Sequence, residues 1–433
     1  MKFRSIALAA AATVLLAGCG SSASNPSATG AAATPSALKG SITVWSWDVA
    51  ATALKRLGTE YQKAHPGTTI NVVDVGYDNA YDKIAVGLQA GSGLPDLITV
   101  ETDHLPGYIE KFPGKFVDLT AALGSEAKNF DPSKIAAASG SDGKLYAVPW
   151  DAGTDALFVR TDYLAKAGVD PAKIATWADF TKAAQTVMAK TGKTALDSDL
   201  STGSLFTQLL QQQGSGIFDA AGNIIINNDK AVAALKLLQD LNAKHLINNV
   251  KGWDARVSAA KSGASAFSPN AVWWTGTLKT EAPELSGKWI VQPLPAFSAG
   301  GARTSNNGGS NLVVPTQAKN GDLAVDFAKF ALANVDNQNS MMTREGLFPS
   351  YLPALAAPLY AEKDPYFSNT AELKVFADLT SSIPPMYYTG DFAAASDIVA
   401  NASVDAILNG KDVKTVLDAA AQAIAKQTGR KVA

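Results

Sequence analysis

The chain carries a single cysteine, Cys19, in 433 residues, so no disulfide can form within it. Three scattered histidines, His65, His104 and His245, with no second thiol argue against a zinc centre; neither a metal nor a cofactor is expected. Excess charge of one sign is lacking too. With 37 basic and 39 acidic residues the formal charge is −2, which gives no reason to expect a nucleic acid partner. There is no Gly-x-Ser-x-Gly elbow, Walker loop, His-Glu-x-x-His helix or EF-hand loop, and no repeat at a solenoid period. What is present is 47% apolar and 18% charged residues, the composition of a folded globular chain with room for two or three domains.

Lys2 and Arg4 precede an apolar run from Ile6 to Leu16, too short for a stable membrane span. Basic flank, short apolar segment and small residues at the cut read as a secretory signal over residues 1–18. Leu16-Ala17-Gly18-Cys19 is similar to the lipobox of bacterial lipoproteins, in which the thiol is lipidated and becomes the new N-terminus. Cleavage there removes two positive charges and no negative ones, leaving a chain near −4. Residues 19–39 are Ser, Ala, Thr, Pro and Gly with little apolar bulk, a flexible tether from lipid to body.

From residue 40 the pattern alternates. Ile42 to Trp45 reads as a strand, and Leu54, Leu57 and Tyr61 mark one helical face stopped at His65-Pro66-Gly67. A second strand, Thr69 to Val75, a helix striped by Tyr81, Ile84 and Leu88, and an apolar third strand, Asp96 to Val100, follow. This β-α-β-α-β order implies a mainly parallel sheet flanked by helices, which holds ligands beyond the carboxyl ends of its strands. Trp47 and Asp48 follow the first strand, and Glu101, Asp103 and His104 the third. Asp48 and Asp103 read as helix N-caps or ligand contacts, and a cap near a cleft can also touch ligand.

The stretch Gly143 to Arg160 organises the chain. Two β-like runs, Leu145 to Val148 and Ala156 to Arg160, flank Pro149, Trp150, Asp151, Gly153 and Asp155. Either this is a hairpin with a core Trp, or it sets an indole and carboxylates against a sugar ring. Further on, Thr176-Trp177-Ala178-Asp179 reads as a capping box, which makes Trp177 structural. Trp289 reads as buried, and of Trp273 and Trp274 at least one is expected at a cleft.

Several landmarks stand in order: Ile42-Thr43-Val44-Trp45, His65-Pro66-Gly67, Gly93-Leu94-Pro95-Asp96-Leu97, Gly143 to Trp150, Gly214 to Asp219, Gly308 to Leu312 and Gly346 to Ser350. In them the chain resembles bacterial extracellular solute-binding protein family 1, the carbohydrate-binding proteins of ABC importers, maltose-binding protein included. It departs from the usual pattern before Trp273, where Gly263-Ala264-Ser265-Ala266-Phe267 stands in place of Gly-Lys-Ala-Ala-Met.

The resemblance implies an α/β, two-lobed periplasmic-binding-protein-like fold of type II with the ligand between the lobes. The first lobe would take residues 40–152 and 308–335, the second 153–307 and 336–433, with crossings near Asp151, Asn307 and Asn334. It further implies capture of a mono- or oligosaccharide outside the cytoplasmic membrane by a lipid-anchored monomer, and delivery to the transmembrane subunits of an ABC permease. Aromatic faces would cover the sugar's apolar side while polar groups orient its hydroxyls. The aromatic candidates are Trp47, Trp150, Trp253, Trp273, Trp274 and Tyr388, with Trp150 and Trp274 expected to matter more for binding than for stability. The polar candidates are Asp48, Glu101, Asp103, Asp151, Asp155, Asn307 and Arg344. Two rivals stand beside this reading. One is the same fold around a non-sugar solute. The other is a glycoside-processing enzyme using two of the acids, although nothing in the sequence sets a carboxyl pair at catalytic distance.

Overall fold

The computed structural model describes residues 38–433, apart from the side chains of residues 77–79. Cys19, the expected signal segment 1–18 and the expected tether up to residue 37 lie outside the described residues. Residues 38–433 form one compact unit, and among them no helix is long and apolar enough to cross a membrane.

Among the described residues ten strands build two sheets. In chain order they are β1 (Gly40–Ser46), β2 (Thr68–Asp74), β3 (Leu97–Glu101), β4 (Val148–Pro149) and β5 (Asp155–Arg160). There follow β6 (Thr194–Ser198), β7 (Ile247–Asn249), β8 (Ser265–Ala271), β9 (Trp289–Gln292) and β10 (Ser310–Val313). The first sheet has the order β2-β1-β3-β10-β4, the second β7-β6-β8-β5-β9. Both are mixed: four strands run one way in each, while β10 and β5 are reversed.

The first sheet forms as its apolar pattern dictates. Ile42 and Val44 of β1 are buried, and Leu97 to Val100 of β3 are enclosed on both faces. The helix Asp48–Ala64 presses Leu54, Leu57 and Tyr61 onto them, and Leu323, Phe327 and Ala331 of the helix Gly321–Leu332 close the same core. The second sheet is covered by the helices Trp177–Thr191, Asp229–Ala243 and Val413–Thr428, whose buried stripes share one cluster with Leu157, Val159 and Phe267. Trp289 is buried, and Trp177 lies at the start of its helix behind the expected capping box. There Asp179 N–H donates to Thr176 Oγ1 at 3.2 Å, and Thr176 N–H donates to the Asp179 carboxylate at 3.1 Å. Thr176→Ala is expected to lower stability by about 1 kcal/mol. Urea denaturation checks this, with ligand affinity unchanged.

The two runs of Gly143 to Arg160 are not a hairpin. β4 belongs to the first sheet and β5 to the second, so residues 150–154 carry the chain between them. Two other segments lie alongside: Thr154 bridges to Asn306, and Asp151 to Pro349. The third passage lies near Pro349 and not near Asn334, because the helix Val335–Glu345 stays with the first core. Met341 joins that core, and Arg56 of the first helix binds Glu345 at 2.8 Å.

The crossing is tight. Asn307 N–H donates to Gly153 O at 2.8 Å, and Gly153 N–H donates to Asn306 Oδ1 at 2.9 Å. A Cβ on Gly153 would stand 2.0 Å from the Asn307 carbonyl oxygen, so only glycine permits this approach.

Candidate functional site

Past the ends of β1 and β3 lies a group of aromatic and acidic side chains. Trp47, buried, lies 5.7 Å from the Tyr81 ring, and Tyr81 stacks on His104 at 3.8 Å. The Tyr81 hydroxyl donates to Glu101 Oε2 at 2.8 Å, and His104 Nδ1 pairs with Asp103 Oδ1 at 2.8 Å. This aromatic row backs an exposed carboxylate, Asp103. Burial alone would lower the His104 pKa, but the hydrogen bond and charge of Asp103, with Glu101 behind, outweigh it and raise the imidazole above its ordinary value. Glu101, Asp103 and His104 each bring one donor atom within 4.8 Å of the others. Chemically this group accepts hydrogen bonds from hydroxyls or an amine.

Beneath it lies Lys134, fully buried, whose Nζ donates to Ser310 O at 2.9 Å and also to Thr102 Oγ1. Thr102 N–H in turn donates to Gly309 O at 3.0 Å. Burial pushes the Lys134 ammonium down to about 8, against the nearby carboxylates of Asp151 and Asp131. The lysine ties the end of β3 to the returning strand β10.

The second lobe supplies a tryptophan cluster. Trp253, half exposed, Trp273 and the buried Trp274 form a cluster with centroids 5.6–6.2 Å apart. The Trp273 indole N–H donates to Asn307 O at 3.0 Å, which fixes the ring beside the crossing. A cavity of 800 Å³ runs from Val49 of the first lobe past Asp151 to Trp253 and Trp273. A second, of 620 Å³, lies between the helix Leu105–Lys111 and residues 386–389. Tyr388 lines it, and enclosure together with the charge of Asp103 raises the phenol's pKa.

Behind the tryptophans, four buried polar atoms have no partner among the described residues: Asp155 Oδ1, Asn270 Nδ2, Arg256 Nε and Trp274 Nε1. The Arg256 guanidinium lies 5.3 Å from the Trp274 ring. Buried polar groups of this kind call for water or ligand as a partner. Burial raises the Asp155 carboxyl to about 7, opposed by the Ser305 hydroxyl and the charge of Arg256. Unfolded, this acid titrates near 3.8, so the unfolded chain releases its proton first. Asp155 therefore favours the fold most below that pH and loses this contribution as pH rises through 7. Asp155→Asn is expected to flatten the fall in stability over this range by a few kcal/mol, measured as urea midpoints from pH 4 to 8.

Asp151, Trp253 and Trp273 line the larger cavity and Tyr388 the smaller, whereas Trp47, Glu101 and Asp103 lie at or just past the ends of β1 and β3, Asn307 lies in the crossing, and these four line neither. Four placements correct the sequence expectation. Trp150 is fully buried in the first core with its indole N–H on Met341 Sδ at 3.3 Å. Trp274 is buried beneath its two neighbours, and Asp155 is walled in with Ser305 Oγ donating to it at 2.5 Å. Arg344 is exposed on its helix, and although Thr343 and Glu345 line the larger cavity, it does not. Asp48 is exposed at φ +46° and caps nothing, and Asp103 caps nothing either; the N-cap positions fall to Trp47 and His104. Asp151 Oδ1 accepts from Ser310 N–H at 2.7 Å, which commits it to the crossing. Tyr81, Lys134, Arg256 and Asn270 escaped the sequence reading. Of these, Tyr81 had a visible signal, since it begins the stripe of the second helix just past strand ends already chosen.

Two α/β lobes joined by adjacent crossings, with an aromatic and acidic cleft between, define a two-lobed binding protein. The profile described as bacterial extracellular solute-binding protein matches residues 46–338, and the chain belongs to that family, which acts outside the cytoplasm. An arabinooligosaccharide-binding protein of Bacillus subtilis is 33% identical over 84% of this chain and 86% of its own length. A lactose-binding protein of Rhizobium radiobacter is 30% identical over 88% of this chain and 92% of its own length. Among solved structures, an ABC transporter associated binding protein from B. animalis subsp. lactis in complex with β-1,6-galactobiose superposes with a TM-score of 0.72. It is 25% identical, over 91% of this chain and 100% of that one.

Proposed function

We propose that this protein captures a small saccharide, an oligosaccharide above all, between its lobes and delivers it to the transmembrane subunits of an ABC importer. The observation that carries this is an indole face, Trp273 flanked by Trp253, lining the cavity that reaches from Val49 past Asp151; Asp103, backed by His104 and Tyr81 beyond the end of β3, would face it across the solute. Indole covers the apolar C–H face of a sugar ring, and the carboxylate accepts from its hydroxyls. The sugars named for the two relatives support the same class.

Cys19 would carry lipid and hold the body, as a monomer, at the outer face of the cytoplasmic membrane. The protein breaks no bond. In support, Asp155 is walled in and Glu101 is engaged by Tyr81, so neither is placed to serve as one of a pair of glycosidic acids. A thermal-shift screen over arabino-, galacto- and malto-oligosaccharides and their monosaccharides tests the reading. At least one should raise the melting temperature by mass action. A rise with oxyanions, polyamines or peptides, and with no sugar, would transfer the site to another solute. Release of monosaccharide during incubation would contradict the binding role.

A further inference from the structure

Away from the crossings, the lobes meet at a second place. Glu110 stands at the end of the helix Leu105–Lys111 of the first lobe, and both of its carboxylate oxygens turn to the second lobe. Oε2 accepts from Gly390 N–H at 2.6 Å, and Oε1 accepts from the guanidinium of Arg430. The cation is held in advance by its own lobe: Arg430 Nε donates to Asp391 Oδ2 at 2.9 Å, and the guanidinium lies 5.5 Å from the Phe218 ring. The backbones are close as well, since a Cβ on Gly107 would meet Thr389 O at 3.4 Å.

We propose that Glu110 and Arg430 form a clasp that favours the closed state and so sets the affinity and residence time of the solute. The clasp stands apart from the tryptophan wall that would hold the sugar. The two sets of contacts differ in where they are made. Gly153, Asn306 and Asn307 touch within the crossing itself, so their bonds exist in open and closed forms alike. The bonds of Glu110 reach the other lobe and exist only while the lobes are together. All of their free energy is therefore differential between the two states, the condition for shifting the equilibrium.

An exposed ion pair of two free side chains would contribute little. Here the arginine is fixed beforehand by Asp391, and the carboxylate takes a backbone N–H in addition, which makes the contact charge-assisted and preorganised. A solute that binds the closed form loses affinity in proportion to the closed fraction.

The inference rests on the cleft reading, and its test has one arm free of it. Glu110→Gln, Arg430→Gln and the double variant are compared by calorimetry with whichever saccharide the thermal screen selects. Each single variant should weaken binding by about three- to tenfold and quicken release, and the double should fall no further. Without sugar, solution scattering at low ionic strength should show a larger radius of gyration for Glu110→Gln than for wild type, with the difference lost in high salt. Wild-type affinity in Glu110→Gln, or effects of the single variants that multiply in the double, would overturn the clasp. If no sugar binds, identical radii for unliganded wild type and Glu110→Gln at low salt would overturn it alone.

Discussion

Trp273→Ala is expected to weaken saccharide binding by about 30-fold or more while the unliganded protein melts close to wild type. The ring is half-buried and faces the cleft, and its N–H is already fixed on Asn307 O at 3.0 Å, so little freedom is lost when a sugar stacks on it. Anchors of this kind at the centre of a contact contribute about 2 kcal/mol or more. Trp150→Phe supplies the contrast. That indole is wholly enclosed in the first core, so the change should lower stability and leave affinity within about twofold once the protein is folded. Calorimetric titration of both variants with one sugar checks the pair. Equal losses of affinity would remove Trp273 from the ligand.

Gly153→Ala is expected to be the most damaging single methyl group among the described residues. The new Cβ would meet the carbonyl oxygen of Asn307 at 2.0 Å. That neighbour is backbone, so it cannot rotate away as a side chain would. The crossing segments must part, breaking the Gly153–Asn307 and Gly153–Asn306 bonds. The cost is on the order of 3 kcal/mol, and the angle between the lobes changes with it. Urea denaturation should show the loss of stability, and titration a loss of affinity even where the protein remains folded. A variant with wild-type midpoint and affinity would mean that the crossing is looser than its geometry.

Much of this was legible beforehand, for identifiable reasons. The apolar runs of β1 and β3 and the stripe Leu54, Leu57, Tyr61 are strong periodic signals, so the first lobe could be read in order. The strand ends then pointed to Trp47, Glu101 and Asp103 by topology alone. Trp150 misled because a tryptophan next to acids looks the same in sequence whether it faces a sugar or a core. What decides is the helix Val335–Glu345, about 190 positions on, which brings Met341 to its indole N–H. That same helix moved the third crossing from Asn334 to Pro349: a helix start marks where a segment begins, not which lobe it packs on. The orphaned atoms of Asp155, Asn270, Arg256 and Trp274 come from β5, β8 and two helices. No local pattern joins them. Arg430 and Glu110, 320 positions apart, were invisible for the same reason.

The central claim is that one solute touches both lobes at once. A crystal structure with the saccharide that gives the largest rise in melting temperature tests it most directly. The sugar should lie with a ring face on Trp273 and a hydroxyl within hydrogen-bond distance of Asp103, bridging the two sheets' ends. A sugar bound to one lobe alone, or outside the cleft with Trp273 and Asp103 untouched, would contradict the account.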